Sequence, residues 1–305
     1  MSRENREHFE SDRAAFLKAI IKKYVSSSPE NCLASFADSR IFDEPLVGFA
    51  DGSDQIFDQY KEIIGDFHLT PREALQNGMP PKTDDINAVE VVSVISFVLP
   101  VTLDTRLSLR RETQIPSLRW NHTRWQGQEF INELSRHVVS VLEDLGYLAV
   151  APELADFYKI KTRSDRFGSN WSQRHIAYAA GLGTFSLNDG FITEKGMAMR
   201  CGSVVTGAAI PATTRSYKNH LANCLFYSEG SCMRCAERCP AGAITERGHD
   251  KGKCLEFLFF KQKEMVKQMG RENGYIGRYL GCGLCQTKVP CEAGIPPRTK
   301  AKNKV

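Results

Sequence analysis

The sequence has no long apolar run. Nowhere in its 305 residues do the roughly 18 to 20 uncharged apolar residues that a membrane span requires follow one another. The amino terminus, MSRENREHFESDR, is charged throughout and has neither the apolar core nor the small-residue cleavage site of an export signal. We therefore expect a cytoplasmic protein without a membrane partner.

Two further absences reduce the number of function classes that the sequence supports. The 40 Lys and Arg residues barely exceed the 36 Asp and Glu residues, so composition gives no sign of a nucleic-acid interface. The sequence also has no phosphate-binding Walker loop, no G-x-G-x-x-G after a predicted strand and no H-E-x-x-H. Nucleotide hydrolysis and nicotinamide chemistry thus have no support in the sequence.

The apolar pattern predicts helices alternating with strands, which is typical of an α/β fold. From about residue 223 onward this pattern gives way to cysteine-bearing turns around one helix. We therefore predict an α/β domain with a helical amino-terminal part over 1–215 and a small cysteine-rich domain over 216–305. The predicted helices cover 6–25, 54–64, 123–145, 171–180 and 255–269, and the predicted strands cover 87–100, 147–151 and 202–210.

Cysteine is scarce in the first two thirds of the chain and crowded in the last. Of ten cysteines, Cys32 and Cys201 stand alone. In a reducing compartment such crowding favours metal binding over disulfides. Eight thiolates are the number needed for two [4Fe–4S] clusters. The crowded cysteines are Cys224, Cys232, Cys235, Cys239, Cys254, Cys282, Cys285 and Cys291.

The cysteine spacing resembles that of bacterial ferredoxins. SCMRCAERCPAGAI, residues 231–244, has the order C-x2-C-x3-C-P, but Glu229 stands where a ferredoxin run has one more cysteine. GCGLCQTKVPC, residues 281–291, supplies a second C-x2-C and a third cysteine. Zinc also accepts thiolates at C-x2-C spacing, so two zinc-ribbon-like sites are the alternative.

The ligand exchange of two-cluster ferredoxins suggests which cysteines join. In that arrangement the cysteine before the proline ligates the other cluster. We expect Cys224 to supply the ligand that is missing at the position of Glu229. The seven residues between Cys224 and Cys232 form a loop that closes at small entropic cost. Cys254, at the head of a predicted helix, completes the partner set. The first cluster then takes Cys224, Cys232, Cys235 and Cys291, and the second takes Cys239, Cys254, Cys282 and Cys285.

The stretch RHIAYAAGLGTFSLNDGFITEKGMAMRCGSVVTGAAI, residues 174–210, together with the cysteine groups after it, resembles the epoxyqueuosine reductase and reductive dehalogenase superfamily. The resemblance extends over roughly 87–292. It implies a nitroreductase-like α/β domain that binds base-off cobalamin, followed by a bacterial-ferredoxin-like domain with two [4Fe–4S] clusters. Cys254 in CLEFLFF matches the lone ligand between the family's two cysteine motifs.

The resemblance also implies cofactor-binding and catalytic residues. The turn Gly181, Leu182 and Gly183 would approach the corrin, with Gly202 and Ser203 beside it. From spacing alone, the same A-G-L-G turn is a helix end leading into a strand. An ungapped match puts Phe167 where epoxyqueuosine reductases have an acidic proton donor. The candidate substitutes for that donor are Asp165, His175 and Tyr178.

Two other departures concern the substrate. Longer epoxyqueuosine reductases continue into a helical-repeat extension that helps hold tRNA, whereas this sequence stops shortly after Cys291. Respiratory dehalogenases carry a twin-arginine export signal, which this sequence lacks. The resemblance therefore implies a compact relative acting on a small molecule or a modified nucleoside, with tRNA left open.

Three functions follow as hypotheses. The first is a reductase that removes oxygen or halide from its substrate through two clusters and a cobalamin. The second is an iron–sulfur electron-transfer protein, and the third is a reductive activator that has no corrinoid of its own. Each would need a low-potential electron donor such as a ferredoxin or flavodoxin.

Overall fold

A computed structural model describes residues 3–79, 89–162 and 167–298. Helices and strands alternate along most of this length, so the fold is mixed α/β. A five-residue π-helical segment, Phe257–Lys261, joins the last two helices. The helices are α1 (Arg3–Ser11), α2 (Arg13–Ser27), α3 (Ile56–Ile63), α4 (Pro71–Gly78), α5 (Leu103–Arg110), α6 (Leu118–Asp144), α7 (Gln173–Ala179), α8 (Leu225–Glu229), α9 (Arg234–Glu237), α10 (Lys251–Glu256) and α11 (Gln262–Gln268).

The strands are short, apart from three of six to eight residues. One four-stranded sheet and four two-stranded sheets contain them. They are β1 (Cys32–Leu33), β2 (Ser39–Arg40), β3 (Leu46–Asp51), β4 (Ser93–Pro100), β5 (Ala149–Val150), β6 (Ile160–Thr162), β7 (Phe167–Ser169), β8 (Gly183–Phe185), β9 (Phe191–Thr193), β10 (Met199–Thr206), β11 (Ile244–Thr245) and β12 (Gly248–His249).

The chain forms two compact units, each made of separate segments. The first comprises Met1–Val101, Gln126–Leu182 and Arg200–Ser216, and the second comprises Thr102–Trp125, Gly183–Met199 and Tyr217–Val305. The last of these boundaries lies one residue from the predicted one at 215. Two earlier segments also belong to the cysteine-rich unit, which a local apolar pattern does not reveal. The assignment of a cofactor domain and a ferredoxin-like domain stays a prediction.

The four-stranded sheet is the core of the first unit. Its strand order is β3-β4-β10-β5, and β3 pairs with β4 in antiparallel register with Leu46 opposite Val98. Every residue of β4 is buried, as predicted for the apolar run that ends at Pro100. The helices α2 and α7 pack against β3, and α7 also packs against β4.

The predicted helices of the first unit are present, with shifted ends. The opening helix predicted for 6–25 is two helices, because the Asp12 carboxylate accepts a hydrogen bond from the Ala15 N–H at 2.9 Å and caps α2. The helix α6 begins at Leu118, five residues before its predicted start. Among the described residues, no helix combines the length and the apolar character that crossing a bilayer needs.

The second unit has little regular structure. Its strands form the hairpins β8–β9 and β11–β12. The helix predicted for 255–269 begins earlier, at Lys251, since the Asp250 carboxylate accepts from the Lys253 N–H at 3.0 Å. Loops and other helices, most of them short, make up the rest of the unit, and most of its cysteines lie in the loops or at the ends of short helices.

A buried histidine lies among aromatic side chains of the first unit. His68 is 0% exposed, stacks on Trp171 with ring centroids 6.1 Å apart, and meets the Tyr60 ring edge-on. The Ser172 N–H donates to His68 Nε2 at 3.2 Å, so the ring is neutral. Burial lowers the pKa of His68 to about 4, and the Lys61 ammonium adds to this effect.

This histidine should make the folded state sensitive to acid. A pKa of about 4 in the folded protein against an ordinary value of about 6.5 corresponds to a stability contribution of about 3 kcal/mol. The contribution is complete above pH 6.5 and is lost as the pH falls towards 4, because the unfolded chain binds the proton first. Urea unfolding of the purified protein at several pH values between 7 and 4.5 measures this loss of stability.

The variant His68→Gln should flatten this part of the stability profile. The exposed His8 offers the matched control, since His8→Gln changes the same side chain outside the core. An unchanged slope in His68→Gln would show that the buried ring does not govern the acid sensitivity.

Candidate functional site

Four cysteines of the second unit line one enclosed space, which we call site 1. Cys224 precedes α8, Cys232 follows it, Cys235 lies in α9, and Cys291 lies in the carboxyl-terminal loop. The pocket that they line with apolar neighbours has a cavity volume of about 20 Å³. These are the four residues predicted for the first cluster.

Burial and mutual proximity set the acidity of the thiols in site 1. Burial raises the pKa of Cys235 and of Cys291 to about 12 each. The neighbouring cysteine sulfurs, Cys224 and Cys232 among them, raise both values further, since like charges would repel. A set of four such thiolates is therefore stable only with a cationic group between them.

The walls of site 1 are apolar. Its lining includes Ile192, Met197 and Val289, which belong to one hydrophobic cluster of buried side chains. The Cys291 and Met197 sulfurs lie 3.5 Å apart. The backbone also holds Cys291 in place, because the Met197 N–H donates to its carbonyl at 2.9 Å.

The other four cysteines interact around Cys282, and we call this group site 2. Burial is the main cause of the raised pKa of Cys282, and the sulfurs of Cys285, Cys254 and Cys239 raise it further. Cys239 Sγ accepts a hydrogen bond from the Ala243 N–H at 3.4 Å. Cys285 also influences Cys235 of site 1, so the two sites are neighbours within the unit.

All ten cysteines are free thiols. Among the residues that the structure describes, no group of three or more His, Cys, Asp or Glu side chains is arranged to hold a single metal ion. Cys32 lies in β1 of the first unit, away from the eight grouped cysteines in sequence. Burial raises the pKa of Cys201 to about 12, so this thiol is protonated at neutral pH.

A segment far upstream in sequence holds the loop before Cys282. Asn121 is fully buried, and its amide nitrogen donates to the carbonyls of Ile276 and Leu280 at 3.1 and 3.0 Å. The glycines of this loop lie against tryptophan rings. A Cβ on Gly283 would come within 2.3 Å of Trp120, and one on Gly277 within 2.0 Å of Trp125.

No pattern in the sequence connects Asn121 with a loop 155 residues later. The glycines at 277, 281 and 283 were the available signal, because all three adopt positive φ, where glycine is favoured.

A buried carboxylate anchors the chain next to Cys291. Glu292 is 2% exposed and accepts from Arg110 Nε at 2.8 Å and from Arg106 Nη1 at 3.3 Å. The Lys288 N–H donates to the same carboxylate at 2.6 Å. Three donors therefore fix the backbone that carries Cys291.

The A-G-L-G turn of the first unit ends a helix in a Schellman motif. The Gly181 N–H donates to the Tyr178 carbonyl and the Leu182 N–H donates to the Ala177 carbonyl, both at 3.0 Å. Gly181 has φ +73, and a Cβ there would lie 3.0 Å from the Thr214 carbonyl oxygen. The helix end and the packing under Thr214 are enough to require this glycine.

The other residues implied for a corrin also have protein neighbours. A Cβ on Gly202 would come within 2.3 Å of the Phe97 ring, and one on Gly183 within 2.3 Å of the Ile192 carbonyl oxygen. Ser203 is 1% exposed. Its hydroxyl accepts from Trp171 Nε1 at 2.9 Å and donates to Gln173 Oε1 at 2.8 Å.

Two of the three candidate proton donors lie among the described residues. Asp165 lies outside the described residues, and the structure describes only the backbone of Phe167. His175 and Tyr178 lie on α7, just before the A-G-L-G turn. His175 Nδ1 lies 2.8 Å from Ser172 Oγ, and its ring meets Tyr60 edge-on. The role of each as a donor stays a prediction.

No protein-family model matches the chain. Curated relatives do, among them two that bear the name epoxyqueuosine reductase. The one from Bacillus anthracis is 32% identical over 127 residues, which are 41% of this chain and 30% of that relative. The one from Synechocystis is 28% identical over 122 residues, 39% of this chain and 37% of that relative. The matched stretches thus span about a third of the relatives' length.

A solved structure with a similar chain is that of an epoxyqueuosine reductase with an epoxyqueuosine-modified tRNA stem loop. It has 16% sequence identity and a TM-score of 0.45, over 93% of this chain and 68% of that one. The sequence matches to two curated reductases agree with the resemblance noted in the sequence. Over the matched stretches, the chain is similar to these epoxyqueuosine reductases.

Proposed function

We propose that the chain is an iron–sulfur reductase whose second unit holds two [4Fe–4S] clusters. The observation that carries this proposal is the grouping of eight cysteines into two sets of four within one unit. Their spacing has the C-x2-C-x3-C-P form of ferredoxins. The relation to a family of reductases supports an enzyme that consumes such electrons.

The cysteine sets fit iron–sulfur clusters chemically. Soft thiolates are the ligands that these clusters take. A cubane cluster holds its four thiolates further apart than one ion does, and the four cysteines of site 1 line a common pocket. The apolar wall of that space would keep water from the cluster. Bound clusters would supply electrons one at a time.

The reaction class we propose is a two-electron reductive removal of oxygen or halide. Opening an epoxide to an alkene and water consumes two electrons and two protons. Replacing a halide by hydrogen consumes two electrons and one proton and releases the halide ion. Two clusters that each carry one electron match either requirement. The name of the relatives points to a modified nucleoside, free or in tRNA, as the first substrate to test.

A base-off cobalamin is the further cofactor that the relation to these reductases suggests, and it would supply a strongly reducing metal centre. The residues named for it do not form a cradle by themselves. Gly181 is explained by its Schellman motif, Gly202 by Phe97, and Ser203 by its two hydrogen bonds. This observation favours the second candidate, an iron–sulfur electron-transfer protein or activator without its own corrinoid.

Corrin retention separates the two candidates. Anaerobically reconstituted protein is mixed with hydroxocobalamin, desalted and scanned. The reductase should retain about one corrin per chain and should turn over epoxyqueuosine-tRNA or a halogenated aromatic with a reduced ferredoxin or flavodoxin as donor. A carrier should keep its clusters and lose the corrin. An activator should reduce a corrinoid protein supplied in trans and leave free substrates unchanged.

A further inference from the structure

The two cysteine sites differ in the charges that surround them. Among the residues that the structure describes, no charged side chain lines site 1, whose non-cysteine lining is Ser186, Asn188 and apolar residues. The Cys291 thiol donates to the Met197 sulfur, 3.5 Å away. An apolar setting of this kind disfavours any added negative charge.

Site 2 lies beside a fixed positive charge. Arg238 directly precedes Cys239, and its guanidinium donates to Thr287, two residues after Cys285. That guanidinium is held by four hydrogen bonds. It donates from Nη1 to the Glu112 carbonyl at 2.8 Å, from Nη2 to the Leu109 carbonyl at 3.3 Å, and from Nε and Nη2 to the Thr287 carbonyl and hydroxyl at 3.2 and 3.4 Å.

Arg238 has no carboxylate among these hydrogen-bond partners. Three of its four acceptors are backbone carbonyls and the fourth is a hydroxyl, so they position the guanidinium without neutralising it. Arginine keeps its charge at every physiological pH. Glu292 also acts electrostatically on Arg238, but this carboxylate already accepts from two other arginines.

A histidine side chain also reaches site 2. The Cys254 sulfur and the His249 ring interact electrostatically, and His249 Nδ1 lies 3.2 Å from Asp189 Oδ2. A carboxylate behind an imidazole fixes the ring orientation, as it does around other metal ligands. Site 2 thus has an imidazole near one of its sulfurs, and the Ala243 N–H donates a hydrogen bond to another, Cys239 Sγ.

We propose that site 2 holds the cluster with the higher reduction potential and that Arg238 is the positioning residue that raises it. This inference rests on the proposed presence of two clusters. Adding an electron makes a cluster more negative, so a nearby cation and hydrogen bonds to its sulfurs stabilise the reduced form. The first electron to enter the unit rests at site 2, and site 1 is the stronger reductant.

A redox titration followed by electron paramagnetic resonance tests this. The anaerobic protein should show two clusters whose reduction equilibria differ at least tenfold, which is about 59 mV for a one-electron couple. Arg238→Gln should lower the equilibrium constant for reduction of the higher-potential cluster at least tenfold. The equilibrium constant of the other cluster should change less than threefold. Arg238→Lys, which keeps the charge, should restore most of the shift.

Two further variants complete the test. His249→Phe should shift the same cluster in the same direction by about threefold or more. Arg247→Gln is the matched control, since Arg247 is exposed on the same hairpin as His249, and it should shift neither potential. Iron content must stay near eight atoms per chain, about four for each cluster, in every variant that is compared.

The outcomes separate the two proposals. Full iron with equal potentials, or a shift of the lower-potential cluster in Arg238→Gln, overturns the assignment of site 2 and leaves the iron–sulfur proposal intact. A shift in Arg238→Lys as large as that in Arg238→Gln also overturns it, because the charge would then not be the cause. Absence of iron overturns both proposals.

Discussion

Cys224→Ala should cost the reconstituted protein about half of its iron, from about eight atoms per chain towards about four. Cys224 lies eight positions before Cys232, outside the ferredoxin run, yet it lines site 1 with Cys232, Cys235 and Cys291. A cubane cluster needs four thiolates. In our proposal, Cys224 supplies the one that a ferredoxin has at the position of Glu229.

Two other variants make this measurement specific. Cys254→Ala should remove the cluster at site 2 and leave the one at site 1. Cys32→Ala is the matched control, because Cys32 lies in β1 of the first unit, and it should leave iron and labile sulfide unchanged. Iron near eight atoms per chain in Cys224→Ala would show that Cys224 is not a ligand.

Glu292→Gln should lower the free energy of unfolding by about 3 to 5 kcal/mol. The change leaves Arg106, whose side chain is 14% exposed, without its carboxylate, and a buried charge without a partner is costly. It also loosens the backbone around Cys291, since Glu292 Oε2 accepts from the Lys288 N–H. Urea unfolding followed by circular dichroism measures the loss.

An exposed ion pair of the same unit gives the control. Glu237 is paired with Arg234 at 2.5 Å, and the two side chains are 56% and 62% exposed. Because water screens such pairs, Glu237→Gln should cost about 0.5 kcal/mol or less. Equal losses in the two variants would mean that Glu292 is no more important to the unit than a surface carboxylate.

The regular elements of the first unit were largely predictable because they are local patterns. The apolar run before Pro100 predicted β4, and the apolar stripe of α6 with Gly146 after it predicted a long helix. The break at Asp12 was not predicted, since the stripe continues across it while the capping hydrogen bond to the Ala15 N–H ends one helix and starts the next.

The cysteine groups were predictable for a different reason. The spacing of ferredoxin ligands can be recognised directly in the sequence. In the structure, Cys224 lies with Cys232 and Cys235, and Cys254 lies near Cys282. The supports of these groups were not predictable. Asn121, Arg106 and Arg110 contact residues more than 150 positions away, and long-range contacts of single polar side chains leave no periodic trace.

The residues predicted to bind a corrin show how little a short sequence motif reveals about a ligand. The A-G-L-G turn matched a family pattern, yet its glycine at 181 is fully accounted for by a helix end. A short glycine motif reports the backbone conformation first, and it reports a ligand only when nothing in the protein already explains it. The cobalamin proposal therefore depends on the binding experiment.

Metal analysis of protein purified without oxygen tests the central claim most directly. Two clusters predict about eight iron atoms and about eight acid-labile sulfides per chain, with negligible zinc. Zinc in place of iron, at about one or two atoms per chain, would contradict the account.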